Sequence, residues 1–598
     1  MITQSVAARL RGAPWLMACV CAAALIAPLA HAQQQPAIPP AATPGGALPR
    51  TDTRLQTDAA QPADVFQVPK MSERPLGLEE GPRLKVTSFK LIGATDRPEE
   101  GVSVKDLNGI LDAALKAQPE TGYTVNQLHE IAGRVGDYYH KAGFMLAQAF
   151  VPAQQVLNGE VTIEVLVGRL GAIRVEGNKS YSAERLTKPF DDLLGGPVEK
   201  GEVESSLLRV TDYPGLSAFG VFSAGQAVGT TDLLIQVQKE DRVEFNASLD
   251  NYGSQFTGEY RGQLGLTWNN VSGHADRATF YVLDAFDPDD SNSQGLYGGA
   301  DYTFPFFSPA NSMSLSYSTN AFDVGQALRD LDIAGDSAIA DATFRRVFSR
   351  SRLGTAYWGL GFAYKEANFK QQDVTLNKDK LSVAHLDFFA DHIDTRLRGV
   401  NQFSMSISHG FDDLLGSLDA YDRQTDPKSS RVGAGGEFTK YELSLQRLQR
   451  MSQNTSLLMR LSGQYSPDPL LSLEQLTLGG PDTVRAYPTA EILADKGAVA
   501  SLEVIFNAPG FASRPAPGGK SWGQVFQVSL FIDYAHGELN NALANEDDNV
   551  DLSGWGGALQ FNFPGHFYAR ADVATPITDR DPSNGRDPQY YIRFAYTF

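Results

Sequence analysis

Of 598 residues only two are cysteine, Cys19 and Cys21. Both lie in a stretch that opens with Arg9 and Arg11, runs apolar over 15–29 and ends in Ala30-His31-Ala32. That is the layout of a cleaved secretory signal, so residues 1–32 are expected to be removed. The mature chain then has no thiol, which excludes disulfide staples, thiolate metal sites and cysteine nucleophiles. Long apolar runs are also missing: nothing after the signal reaches eighteen residues, so no transmembrane helix is expected. Positive charge is in deficit, 51 Lys and Arg against 70 Asp and Glu for a net charge of −19, which argues against a nucleic-acid partner. His129-Glu130 opens like a zinc-protease helix but has Gly133 where the second ligand belongs. The nine histidines are otherwise scattered, and Asp287, Asp289, Asp290 and Asp323 lack full calcium-ligand spacing, reading as a solvated loop. No catalytic residue, metal or cofactor is expected, and the chain is not read as an enzyme.

An exported chain without a spanning helix can still cross a membrane as a closed β-barrel, the other structure that satisfies its backbone in lipid. Residues 33–82, rich in Pro, Ala and Gln, read as a flexible linker, with a short plug helix between Thr51 and Val65 as the alternative. Residues 83–168 then give the order β-α-α-β-β. Strand 85–91 precedes a helix through Val104, Leu107, Leu111 and Ala114, and a second helix opens on Thr124 with Gln127 as its capping-box partner. Its apolar face runs Val125, Leu128, Ile131, Val135 and Tyr138, and strands 144–150 and 160–167 follow. Residues 169–241 repeat the order, with helices opening at Ser182 and Glu202. Modules this small suit receptors or spacers better than large enzymes.

From residue 242 to 598 the helical period gives way to sixteen alternating segments separated by turn residues. In 259–269, Tyr260, Leu264, Leu266 and Trp268 share one face, with Arg261, Gln263 and Thr267 opposite. In 524–534, Phe526, Val528, Leu530 and Ile532 oppose Gln527, Ser529 and Asp533. Strands of about ten residues, an even count and one polar face each match a membrane barrel, where a soluble sandwich would split. The polar face must line the lumen, since an arginine at the lipid midplane costs about 2–4 kcal/mol. The expected fold class is therefore an outer-membrane β-barrel of sixteen antiparallel strands preceded by two small α+β modules.

Between the eleventh and twelfth segments runs a glycine-rich loop, Gly479-Gly480-Pro481-Asp482-Thr483-Val484-Arg485-Ala486-Tyr487. By parity, Glu503 on the twelfth segment and Asp533 on the thirteenth both face the lumen. A loop folded inward would bring the Arg485 guanidinium to either carboxylate as a bidentate pair. In a wet lumen such a pair is only partly desolvated.

Two tandem modules ahead of sixteen strands resemble the POTRA-plus-barrel layout of the TpsB transporters, the haemolysin secretion/activation (ShlB/FhaC/HecB) family. The resemblance covers nearly all of the mature chain. Val484-Arg485-Ala486-Tyr487 resembles the V-R-G-Y tip of that family's inward loop, and Phe531-Ile532-Asp533-Tyr534-Ala535 its F-x-D-x-G strand. Asp250-Asn251-Tyr252-Gly253 is similar to the D-N-x-G signature at the start of the barrel, and Thr211-Asp212-Tyr213-Pro214-Gly215 to the N-D-x-P-G segment of the second POTRA module. Ala486 and Ala535 stand where the family has glycine, so the lock between loop and strand need not have the family's geometry. The resemblance implies a translocation pore in the outer membrane with POTRA modules in the periplasm. Its client is a large secreted exoprotein, a haemolysin or an adhesin, bound through a strand edge or groove. The remaining partners it implies are outer-membrane lipids and the barrel-assembly machinery, engaged through the last strand ending at Phe598. The rivals are an insertase of the BamA or TamA type, a passive porin and an outer-membrane enzyme.

Overall fold

In the computed structural model, residues 38–49, 82–419, 429–542, 546–563 and 566–598 are described, with the backbone of 66–67. The signal stretch and the helix considered between Thr51 and Val65 lie outside them. The first extended pair, β1 (Phe66–Gln67), belongs to the linker.

Module one comprises β2 (Ser88–Ile92), α1 (Val104–Lys116), α2 (Val125–Lys141), β3 (Gln148–Phe150) and β4 (Glu160–Leu166). Its sheet runs β2-β4-β3. Strand β4 buries Val161, Ile163 and Val165 against Leu107, Leu111, Leu128, Ile131 and Val135 of the helices. Thr124 and Gln127 form the capping box, satisfying two donors at the start of α2. The apolar face of α2 differs from the sequence reading at both ends. Tyr139, not Tyr138, enters the core, its ring meeting Phe144 edge-on at 5.8 Å. Tyr138 stays near the surface because its hydroxyl donates to the Gly101 carbonyl, and Val125 is exposed. The strand expected over 144–150 is only three residues long, since Gly143 at φ +98° turns the chain and Phe144 buries itself before pairing begins.

Module two comprises β5 (Arg169–Glu176), α3 (Ala183–Thr187), α4 (Lys200–Thr211), β6 (Leu216–Ala224) and β7 (Thr230–Glu240), its sheet ordered β1-β6-β7-β5. Ser182 caps α3 by accepting from the Arg185 amide, but α4 starts at Lys200 with Glu199 as its N-cap, ahead of Glu202.

The sixteen-stranded antiparallel barrel expected from the alternation follows and closes on itself. Its first strand (Val243–Asp250) pairs with the sixteenth (Gln589–Thr597) along a short seam from Arg593↔Asp250 to Thr597↔Asn246. Facing follows parity. Leu249, Leu264 and Leu530 expose 57–62% of their surface outward, while Arg261 and Asp533 expose 8% and 1% inside. No described helix is long and apolar enough to span a membrane, and the strands make the crossing.

Module two is fastened to one rim of the barrel. Asp212, in the turn after α4, accepts two 2.7 Å bonds from Arg350, and Glu204 of α4 meets Arg352 at 3.0 Å. Asn270, in the turn after the second barrel strand, donates to the Ser180 carbonyl, and Ala275 joins the module's apolar core. Tyr181 stacks on Tyr213 at 5.8 Å and its hydroxyl donates to the Pro214 carbonyl. Gly215 at φ +69° leaves no room for a Cβ, which would lie 2.0 Å from the Asp241 carbonyl oxygen. The Thr211–Gly215 motif is thus the joint between module and barrel, and loops 251–259 and 466–495, with the segments 412–419 and 429–437, emerge at the other rim.

Candidate functional site

The loop between the eleventh strand (Thr455–Tyr465) and the twelfth (Lys496–Asn507) turns back into the barrel. Its neck is a small ladder, Leu476–Leu478 against Ile492–Ala494. Gly479 and Gly480, at φ +91° and +101°, redirect the chain there, and the Gly480 amide closes the turn on the Tyr487 carbonyl at 3.0 Å. The tip presents Val484, Arg485, Ala486 and Tyr487, all 0% exposed.

Arg485 meets both carboxylates that parity assigns to the lumen, and a third besides. Its Nε and Nη2 donate to the two Asp533 oxygens at 2.8 and 2.9 Å. Its Nη1 donates to Glu503 at 2.8 Å and to Asp572 at 3.3 Å. The guanidinium lies over the Phe531 ring, 3.2 Å from its centroid, a cation–π contact in a dry site. Around it Ser501 donates to Asp533 at 2.7 Å and Ser529 to Glu503 at 2.6 Å. Arg570 meets Asp572 at 2.8 Å and Glu503 at 3.0 Å. Two buried arginines and three buried carboxylates thus share one network, with Arg460 close by, donating to Ser501 at 3.2 Å. A partly solvated pair was the expectation. The site is dry because apolar residues, Leu478, Val484, Tyr487, Phe531 and Leu552 among them, pack around it in one cluster.

Of the two alanines that stand where the resembled motifs have glycine, Ala486 is accommodated by a glycine opposite it. A Cβ on Gly554, the register partner of Asp533, would lie 2.3 Å from the Ala486 Cβ. The methyl of Ala486 therefore fills space that Gly554 vacates. Ala535 is fully buried in the same cluster.

Tyr487 carries the tip to the sixteenth strand and the last loop. Its hydroxyl shares a 2.7 Å bond with Thr578, and Tyr591 donates to its carbonyl at 2.6 Å. The barrel-start motif lies alongside. Asp250 pairs with Arg261 at 2.6 Å. Asn251 extends the seam, its side chain donating to the Tyr590 carbonyl at 2.8 Å and accepting from the Ile592 amide at 2.7 Å. Gly253 has no room for a Cβ beside the Gly258 carbonyl.

Parity alone did not find three further features. Arg570 and Asp572, two apart on the fifteenth strand (Phe567–Pro576), share the lumen face and complete the network; their i, i+2 spacing is the signal available. A second clasp ties the outer loops. Arg431 donates to Asp495 at 2.5 Å, to the Leu470 carbonyl at 3.0 Å and to the Asn540 carbonyl at 2.9 Å. Asp495, with no exposure, also accepts from the Leu470 and Asn540 amides. Third, a turn of the linker, Pro40–Ala42, sits in the barrel mouth. Ala41 and Ala42 pack against Phe256, Phe322 and Ala490, Ser254 donates to the Ala41 carbonyl, and the Gly45 amide donates to Ser472.

Gly519-Lys520-Ser521-Trp522-Gly523 has the spacing of a hydrolase nucleophile elbow, which needs a strand-to-helix turn. Here Ser521 instead caps the four-residue helix Trp522–Val525, which leads into a strand. Asp290 is engaged by Arg329 and the Gln326 amide, and Asp323 by Gln294.

A sixteen-stranded barrel, two POTRA-like modules on one rim and an inward loop fixed to the wall by arginine define an outer-membrane transporter with a periplasmic receptor. Residues 229–561 match the Haemolysin secretion/activation protein ShlB/FhaC/HecB family, and residues 98–168 the ShlB-type POTRA domain. The chain belongs to that family, and it is a two-partner secretion transporter of the outer membrane with its POTRA modules in the periplasm. It is 24% identical to the heme/hemopexin transporter protein HuxB of Haemophilus influenzae, over 91% of this chain and 93% of that one. With the hemolysin transporter protein ShlB of Serratia marcescens it shares 23% identity, over 64% and 67%. In fold it resembles CdiB from Escherichia coli, with a TM-score of 0.67 at 19% identity, over 90% of this chain and 95% of that one. BamA from Haemophilus ducreyi is a more distant likeness of fold, with a TM-score of 0.50 at 13% identity. The family consists of transporters.

Proposed function

We propose that the POTRA modules take an extended segment of a large exoprotein, a haemolysin or adhesin, and pass it unfolded through the barrel once the inward loop has let go. The observation that carries this reading is the Arg485 network, in which one side chain of the inward loop engages three carboxylates of the wall at once. The Pro40–Ala42 segment would stopper the mouth in the resting state. No chemistry is catalysed, and folding of the client outside would supply direction. Residues 1–32 would direct export and 33–82 link it to the modules at 83–168 and 169–241. The exposed belt would contact lipid, and the last strand, ending at Phe598, would serve the barrel-assembly machinery.

The test is whether the neighbouring reading frame encodes a large exported protein and whether this chain exports it. Removing residues 84–167 should abolish its export while the barrel still shows heat-modifiable migration on gels. Unchanged export would move recognition into the barrel and refute this reading.

A further inference from the structure

The inward loop is gripped at a second place, by charges of the opposite sign. Just ahead of the ladder at its neck, Glu474 lies buried between two lysines of the wall. Its carboxylate accepts from the Lys365 ammonium at 2.6 Å and meets the Lys440 ammonium at 3.0 Å. Lys365 stands on the seventh barrel strand (Gly354–Gln371) and Lys440 on the tenth (Phe438–Arg450). Both face the lumen by parity, since Leu360 and Tyr441 on the same strands are exposed outward. Gln464, on the eleventh strand, adds a bond to the Glu474 carbonyl at 3.0 Å. The partners of Arg485 lie instead on the twelfth, thirteenth and fifteenth strands. In a closed ring of sixteen the seventh and fifteenth strands are eight apart, which puts them on opposite walls. The loop thus crosses the lumen from a wall that supplies cations to a wall that supplies carboxylates.

The limb that carries Glu474 is also what the linker rests on. Ser472 accepts from the Gly45 amide at 3.3 Å, and a Cβ on Gly45 would lie 1.9 Å from the Ser472 carbonyl oxygen. Leu471 packs with Leu381 and Val383 of the eighth strand (Val374–Asp394), a contact without direction that would let the limb slide. A buried carboxylate does not allow that, because moving it off the lysines strands a charge away from water. We propose that Glu474 is a positioning residue of the pore: it pins this limb to the wall opposite the Arg485 lock and so holds the seat of the linker turn in the barrel mouth. This rests on the reading of that turn as the resting stopper. The tip is held by Arg485 and the seat by Glu474, so the two anchors have separate readouts.

The experiment uses the full chain and variants that keep heat-modifiable migration, so that the barrel is known to be folded. Glu474→Gln keeps the shape of the side chain and removes its charge. Hydrogen exchange of the amides at 471–476 should quicken roughly tenfold, while that at 484–487 stays as in the wild type. In planar bilayers the open fraction of the channel should rise roughly tenfold as the linker turn loses its seat. Glu474→Asp, which keeps the charge, should recover part of both effects. Lys365→Met should act in the same direction but less, since Lys440 remains, and should add little once Glu474→Gln is present. Unchanged exchange at 471–476 in Glu474→Gln, acceleration that spreads equally to 484–487, or additive effects of Lys365 and Glu474 would each overturn the anchor. Deleting residues 38–49 tests the stopper separately. If that deletion leaves the open fraction of the wild type unchanged, the stopper reading falls and exchange alone decides the anchor. If the deletion opens the channel and Glu474→Gln does not, Glu474 does not hold the seat and the proposal is overturned.

Discussion

Replacing Arg485 by alanine removes the loop-tip cation that engages three carboxylates of the barrel wall. Asp533 and Glu503 then lose direct partners at 2.8 Å, and Asp572 one at 3.3 Å, in a site with 0–2% exposure. Breaking a buried pair from one side costs about 3–5 kcal/mol, because the other charge stays desolvated and unpaired. Here the chain has a cheaper route than unfolding, since the loop can leave and water enter. The cost then appears as a shift of roughly two to four decades in the balance between loop-in and loop-out states. Trypsin cleavage within 466–495 and single-channel conductance in planar bilayers both read that balance. Arg485→Ala should raise both sharply. Asp533→Ala should do less, because Glu503 and Asp572 still hold the guanidinium, and adding it to Arg485→Ala should do little more. The cycle should give a coupling above about 1 kcal/mol, where independent sites add to within about 0.3–0.5 kcal/mol. Reversing both charges should not rescue, because the new carboxylate at 485 would face Glu503 and Asp572. Additive single effects, or a working reversal, would refute a shared network.

The fit between Ala486 and Gly554 predicts that Gly554→Ala dislodges the loop and that adding Ala486→Gly restores it, read by the same cleavage assay; an innocuous Gly554→Ala would refute the fit. Arg431→Ala should loosen segments 429–437, 466–472 and 539–542 together, seen as faster hydrogen exchange there, without changing exchange at 484–487. Asn251→Ala removes two bonds across the seam and should lower the temperature at which the barrel loses heat-modifiable migration, with Asn251→Asp recovering part of it. Glu240 supplies a pH test outside the membrane. Burial pushes its pKa up, but the amides of Lys179 and Ser180, donating at 3.0 and 2.5 Å, outweigh that and hold it below the ordinary carboxylate value. A depressed folded pKa contributes stability above the unfolded value that is lost as pH falls through the folded one. Protection of those two amides should therefore be full at neutral pH, fall only in acid, and be weakened at neutral pH by Glu240→Gln.

The barrel was legible because its signal repeats at every strand. A side chain on the wrong face would meet lipid, so Leu264 and Leu530 face outward and Arg261 and Asp533 inward, with Phe531 the apolar exception on the lumen side. Parity also gives the facing of Glu503 and Asp533, but not how far a loop reaches or what seals it from water. That depends on Leu552, Tyr591 and Gly554, which are distant in sequence and meet only when the barrel closes. The C-terminal end of the apolar face of α2 slipped for a non-local reason. Tyr138 and Tyr139 are equivalent in composition, and the carbonyl of Gly101, which chooses between them, is non-local. The linker was least legible, since its low-complexity composition says nothing of the two places where it is gripped.

Three separate contacts bear on the pore: Arg485 on the wall, Arg431 across the outer loops and the linker turn in the mouth. Each of the first two is a single arginine gathering partners from several elements; Arg485 is fully buried, and Arg431, partly exposed, meets the fully buried Asp495. The desolvation penalty makes such pairs weak contributors to net stability, yet breaking one from one side is costly. That asymmetry suits a gate. The closed state gains little from the ion pairs relative to a well-packed apolar alternative, so it need not be deeply stable. Partial displacement, by contrast, is strongly opposed, because a half-withdrawn Arg485 leaves Asp533 and Glu503 buried without it. On the proposed reading, opening is therefore cooperative, with the loop either seated or gone.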